Sequence, residues 1–118
     1  MESGAISDVQ ISASTEWNSS TAAIHGRLHF QANGNKAGAW SARTQDVNQW
    51  LQIDLIGQNS IVTRIATQGR HRYDQWVTQY RLQYSNDTSH FLNYTEDGEN
   101  AIKVKHLTIE IDHIFLWP

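Results

Sequence analysis

Six histidines, one dense basic cluster and five tryptophans are the side chains from which this chain could build a site. His25 and His29 are four residues apart, a spacing that binds zinc when both lie on one helical face. Gly26 lies between them and no third ligand is close by, so two half-exposed structural histidines are the expected outcome. Arg70-His71-Arg72 is the one concentrated basic run, with Tyr73 and Trp76 just after it. Two readings stay open for it: a solvated turn after a strand, or a ligand-binding cluster with Arg70 and His71 in it. Arginine beside aromatics suits planar anions, sugar hydroxyls or collagen-like chains, because guanidinium combines charge, a flat face and several donors. Gly34-Asn35-Lys36-Ala37-Gly38 lacks the strand–loop–helix frame of a phosphate cradle and predicts a loop turn. Three sequons, Asn18-Ser19-Ser20, Asn86-Asp87-Thr88 and Asn93-Tyr94-Thr95, matter only on a secreted chain, where they mark surface.

Catalytic patterns are missing. There is no Gly-x-Ser-x-Gly, no phosphate-binding lysine loop and no His-Glu-x-x-His, and the carboxylates are scattered. With no cysteine, disulfides, thiolate zinc sites and cysteine nucleophiles are excluded. A non-enzyme without cofactor is therefore expected; calcium stays open, with no motif to support it. A net charge of −3, from 9 basic and 12 acidic residues, argues against general nucleic-acid binding. No apolar run reaches the length of a membrane span. Met1-Glu2-Ser3-Gly4-Ala5 has neither a basic start nor an apolar run, so no signal peptide is expected in this chain.

The elements that must position these groups are short. At 118 residues the chain is one domain's worth. Charged residues are 18% and hydrophobic ones 39%, both low, while Ser, Thr, Asn and Gln fill the gap. Twelve aromatic residues argue against disorder. Leu51, Ile53 and Leu55 share one face of a strand over 50–55, and the β-branched 61–67 reads as the next strand after a turn at Gly57-Gln58-Asn59-Ser60. Over 77–84, Tyr80, Leu82 and Tyr84 are expected inward and Gln79, Arg81 and Gln83 outward. A polar turn at 85–89, a short strand over 91–94, a stop at Glu96-Asp97-Gly98 and an alternating strand over 105–111 follow. Residues 12–43 are long, polar and weakly periodic, with one helical turn expected from Ser20-Thr21 to Gly26. Trp17, Phe30 and Trp40 within them favour ordered, functional loops. The whole predicts an all-β antiparallel sandwich or barrel with one wet face.

Several stretches, in order, resemble the discoidin domain, the C-type domain of coagulation factors V and VIII. They are Ser3-Gly4-Ala5-Ile6-Ser7-Asp8 with Ile11-Ser12-Ala13-Ser14, then Gly26-Arg27-Leu28, Gly38-Ala39-Trp40, Trp50-Leu51-Gln52-Ile53-Asp54-Leu55, Ala66-Thr67-Gln68-Gly69-Arg70 and Tyr80-Arg81-Leu82-Gln83-Tyr84-Ser85. The resemblance covers residues 1–98 as the domain proper, with 99–118 as an altered or truncated end. It implies an antiparallel jelly-roll barrel and a non-catalytic, extracellular or cell-surface adhesion module within a longer protein. The implied partners are glycans or a matrix protein such as collagen, with an anionic membrane surface as the alternative. A truncated domain with no ligand of its own is a further alternative. The implied site is loop-borne: Trp17 and Thr21 on the first loop, Arg70 after Gln68-Gly69, and Gln75 where collagen-binding relatives carry an acidic residue. His71 adjoins it. Trp40, Trp50 and Trp76 are expected in the core.

Two departures accompany the resemblance. The bridging cysteine pair common in the family is absent. The end, from Lys103 to Pro118, does not follow the family's closing strand and reads as truncated or frame-shifted coding sequence; translation in the other frames tests this. The segment from Leu107 to Ile111 would then serve as a substitute edge strand, and Ile114-Phe115-Leu116-Trp117 as an exposed apolar end.

Overall fold

The computed structural model describes residues 5–55, 60–87, 89–94, 102–104 and 106–116, with side-chain surroundings for 5–55, 61–87 and 89–94. Among them run seven strands: β1 (Ile11–Ala13), β2 (Gln49–Asp54), β3 (Ser60–Val62), β4 (Gln75–Ser85), β5 (Leu92–Asn93), β6 (Ile102–Val104) and β7 (His106–Leu116). All pairings are antiparallel. Five strands form one sheet in the order β1-β2-β7-β4-β5, and β3 pairs with β6 in a second, two-stranded sheet. The all-β architecture expected from the alternating segments is present.

β2 shows how the sequence makes a half-buried strand. Gln49, Leu51 and Ile53 are buried, and the residues between them are half-exposed, the period-two pattern of a pleated strand with one wet face. Leu51 joins Ile11 and Ala23 in the core, with Ile6, Ala13 and Trp40 packed against them. Burying an aliphatic side chain of this size contributes about 1.5–3 kcal/mol. Leu51→Ala would remove that contribution and leave a cavity.

β7 departs from the expected edge position. It lies between β2 and β4, pairing Leu51 with Ile109 on one side and Leu82 with Ile109 on the other. An eleven-residue strand with partners on both sides fills its backbone donors and acceptors, which is why it is drawn to the middle of the sheet. The strand over 61–67 is also shorter than its β-branched run suggests, because Val62 is its last paired residue. In β4 the register slips on either side of Gln79, and Tyr80 is exposed rather than inward; Leu82 and Tyr84 remain half-buried. A bulge of this kind turns later side chains out of the strict alternation. Of the expected turn at Gly57-Gln58-Asn59-Ser60, Ser60 opens β3 and 57–59 lie outside the described residues, as do the stop at Glu96-Asp97-Gly98 and Trp117.

Loop 12–43 is ordered by short 3-10 turns, Ser19–Thr21 and Ala23–His25. The cap is Asn18, two positions before the expected Ser20-Thr21: its Oδ1 accepts from the N–H groups of Ser20 (3.0 Å) and Thr21 (3.2 Å). Gly26 ends the second turn as expected, its N–H donating to the Ala23 carbonyl. The glycine-rich stretch is a tight turn in which Asn33 and Lys36 exchange both backbone hydrogen bonds, with Gly34 at a φ of 57°.

Candidate functional site

The site is built where three loops meet. The first carries Trp17, the second runs through 37–45, and the third leads from Gln68 into β4. Backbone hydrogen bonds stitch the first to the second: Trp17 N–H to Ser41 C=O (2.8 Å), Ser41 N–H to Thr21 C=O (3.1 Å) and Ala37 N–H to Ser20 C=O (2.7 Å). The Trp40 indole N–H adds a bond to the Thr15 carbonyl (2.9 Å). The third loop is tied in through residues 29–32. His29 N–H donates to Gln68 Oε1 (2.8 Å), and Ala32 N–H donates to His71 Nδ1 (3.0 Å). Gly38 is where the second and third loops touch, since a Cβ there would lie 2.5 Å from the His71 Cβ. A side chain at this position would push the loops apart.

Beneath the loops sits Gln49, a buried polar residue (4% exposed) one position before the strand expected over 50–55. Its Oε1 accepts from the hydroxyls of Ser14 and Thr15, and its Nε2 donates to Thr44 Oγ1 (2.9 Å) and Asp46 Oδ1 (2.8 Å). One amide thus fastens the root of the Trp17 loop to the root of the second loop. The bond from Gln49, followed by the Asn48 N–H, holds the Asp46 carboxyl below its ordinary range. Only the composition, rich in Gln, hinted at such a joint.

On this frame Trp17 stands out at 63% exposure while its backbone is fixed. Trp17 lines a pocket of about 260 Å³ together with Thr21, Arg70 and Gln75, so four of the five expected site residues are brought together. Arg70 is half-buried. Its Nη1–H donates to Gln75 Oε1 (2.8 Å), and its Cζ lies 4.1 Å from the centre of the Tyr73 ring. Its Nε is buried with no hydrogen-bond partner, and among the described residues no carboxylate pairs with it. The turn that carries it is closed by Arg70 N–H to Gln75 C=O (2.8 Å), with Arg72 at a φ of 68°.

Thr21 lines the pocket as a buried wall residue, and His71 lies outside that lining. Thr21 is 2% exposed and its hydroxyl is held in the Asn18 cap, so it shapes the loop. His71 spends Nδ1 as an acceptor for Ala32 N–H, which leaves the ring proton on Nε2 and makes the side chain a brace between loops. Trp76 corrects the expectation in the opposite sense. It is 45% exposed, not core, and lines a second pocket of about 100 Å³ with Trp40 and Gln68. Trp40 and Trp50 are half-buried, and Trp40 packs on the core as expected. His25 is buried, its Nδ1–H donating to the Ser20 carbonyl (2.7 Å) and its ring stacked on Phe30, while His29 is exposed. Among the described residues no group of histidine, aspartate and glutamate gathers as a metal site.

Comparison with known proteins agrees with this frame. The chain matches the F5/8 type C domain over residues 10–114. It is 42% identical over 108 residues to retinoschisin of Takifugu rubripes, covering 86% of this chain and 37% of that protein. Human retinoschisin is 41% identical over 108 residues, covering 86% and 46%. The human EGF-like repeat and discoidin I-like domain-containing protein 3 is 36% identical over 109 residues, covering 88% and 22%. The chain therefore spans less than half the length of these relatives. In fold it is similar to discoidin II of Dictyostelium discoideum, with a TM-score of 0.78 at 24% identity over 89% of this chain and 50% of that one. The chain belongs to the F5/8 type C, or discoidin, domain family.

Proposed function

We propose that this domain is a non-catalytic binding module that acts outside the cell or at its surface, within a longer protein, and recognises a glycan or a matrix protein through the Trp17 and Arg70 loops. The observation that carries this reading is the exposed Trp17 indole on a fixed backbone, sharing one pocket with Arg70 and Gln75. Exposing an indole to water is unfavourable unless a partner covers it, and Trp and Arg are favoured anchors of recognition surfaces. Fixing the backbone beforehand lowers the ordering cost of binding. Neutral polar side chains on the pocket wall (Asn18, Ser41, Gln45 and Gln75) offer both donors and acceptors to hydroxyl groups. A glycan array and a triple-helical peptide pull-down on the folded domain, with and without calcium, test the reading. Loss of binding in Trp17→Ala supports it; binding that survives this change moves the site elsewhere.

A second reading, an anionic phospholipid surface, draws on the exposed aromatics Trp17, Tyr73 and Trp76 and on the exposed Arg43 and Arg72. Arg27 does not join them, because it is held by Asp8 (2.6 Å) and the Ile6 carbonyl. Cosedimentation with phosphatidylserine vesicles at two salt concentrations separates the two readings.

A further inference from the structure

The two pockets around Arg70 are not separate features. They share a wall made by Ser41, Ala42, Gln45, Arg70 and Gln75. Trp17 stands on one side of that wall and Trp76 on the other, each substantially exposed. We infer that they are two subsites of one groove, and that the domain takes an acidic saccharide chain long enough to lie against both indoles across the Arg70 guanidinium. This rests on the binding reading above and extends it by a second subsite and a ligand class.

Three observations lead there. An exposed indole offers a flat apolar face to the C–H face of one sugar ring, so two indoles in sequence call for at least two rings. The wall between them carries the Ser41 hydroxyl and the Gln45 and Gln75 amides, which pair with sugar hydroxyls. Arg70 supplies the acidic preference. Its hydrogen-bond partner is the neutral Gln75, no carboxylate compensates it among the described residues, and its Nε–H is buried without an acceptor. A guanidinium without a counter-charge favours an anionic ligand, and a carboxylate or sulfate on the ligand would supply that charge.

The test is a calorimetric titration of the whole chain with a heparin-derived disaccharide, the corresponding tetrasaccharide, and the same tetrasaccharide after chemical desulfation. The tetrasaccharide is expected to bind about tenfold more tightly than the disaccharide, one further ring stacked on an indole. Trp76→Ala brings the tetrasaccharide down to the disaccharide level. Desulfation, or Gln75→Glu, weakens it by about tenfold or more, since the introduced carboxylate pairs with the guanidinium while keeping an acceptor for Arg70 Nη1–H. Melting curves of each variant confirm that it is folded. Equal affinity for the two lengths, or no effect of Trp76→Ala where Trp17→Ala abolishes binding, overturns the second subsite and leaves the binding reading standing. Indifference to sulfate and to Gln75→Glu overturns the acidic class. Trp17-dependent binding of neutral glycans alone overturns the acidic class, and Trp17-dependent binding of triple-helical peptide alone overturns the saccharide inference; either keeps the binding reading. Saccharide binding that ignores Trp17→Ala removes both.

Discussion

The turn before β4, around Arg70, and the turn after it, around Asp87, handle their polar groups in opposite ways. At Asp87 the hydrogen-bonding capacity is spent internally: Oδ1 accepts from the N–H groups of Ser89 (2.8 Å) and His90 (2.7 Å), and the buried Ser85 hydroxyl accepts from Asp87 N–H (3.0 Å). At Arg70 the guanidinium makes one side-chain bond to a neutral amide and leaves Nε unmatched, with Tyr73 and Trp76 exposed beside it. One strand thus carries a closed turn at one end and an open one at the other. The difference teaches that incomplete pairing on a stiff frame, more than charge or exposure alone, distinguishes a recognition surface from a structural turn.

The strongest test of that contrast attacks the frame. Gln49→Leu leaves the Ser14, Thr15 and Thr44 hydroxyls and the Asp46 carboxylate without their common partner, and should destabilise the domain by about 2–3 kcal/mol in urea unfolding. The Asp46 carboxyl should then titrate closer to its ordinary value by NMR. An unchanged midpoint would mean the loops do not depend on this joint. Next in size, Trp17→Ala should weaken ligand binding by about tenfold or more without moving the melting temperature. A large loss of stability instead would make the indole a packing residue and close the open end. Asn18→Ala should cost about 1 kcal/mol through the lost cap, and should also weaken binding, because the cap sets the Trp17 loop. Stability lost with binding intact would separate loop shape from recognition.

The smallest effect is expected at the closed end. The Ser89 and His90 N–H groups hold the Asp87 carboxyl well below the usual carboxylate range. A depressed folded-state value stabilises the fold fully above the unfolded value of about 3.9, and the contribution is lost as pH falls from there through the folded value. The difference in unfolding midpoint between the native chain and Asp87→Asn should therefore be constant near neutrality and shrink on acidification below that range. A difference that stays the same at acid pH would show that the carboxylate charge plays no part.

Much of the fold was legible because strands announce themselves locally. β2 follows its alternation residue by residue, and Gly26 ends its turn as a glycine should. β7 was legible as a strand but not as a central one, since partners on both sides are a property of the sheet and not of the segment. Within the site, Trp17 and Arg70 could be placed from the family resemblance, and the structure puts both on one pocket. How far Thr21, His71 and Trp76 would be covered was not legible, for one shared reason. A threonine, a histidine or a tryptophan carries no local mark of whether its neighbours will cover it. Thr21 and His71 are held by the Asn18 cap and by Ala32, and Trp76 is 45% exposed near the start of a bulged strand.

By itself the sequence determined an all-β chain with short strands, a polar capped loop in place of a longer helix, and aromatic and guanidinium groups near that loop, because period, propensity and capping act over a few residues. Only the tertiary structure decided that Gln49 would lock two loop roots together, that Gly38 would let a third loop close in, and that two tryptophans would stand on either side of one arginine. Those outcomes depend on contacts between segments tens of residues apart, which no local pattern encodes.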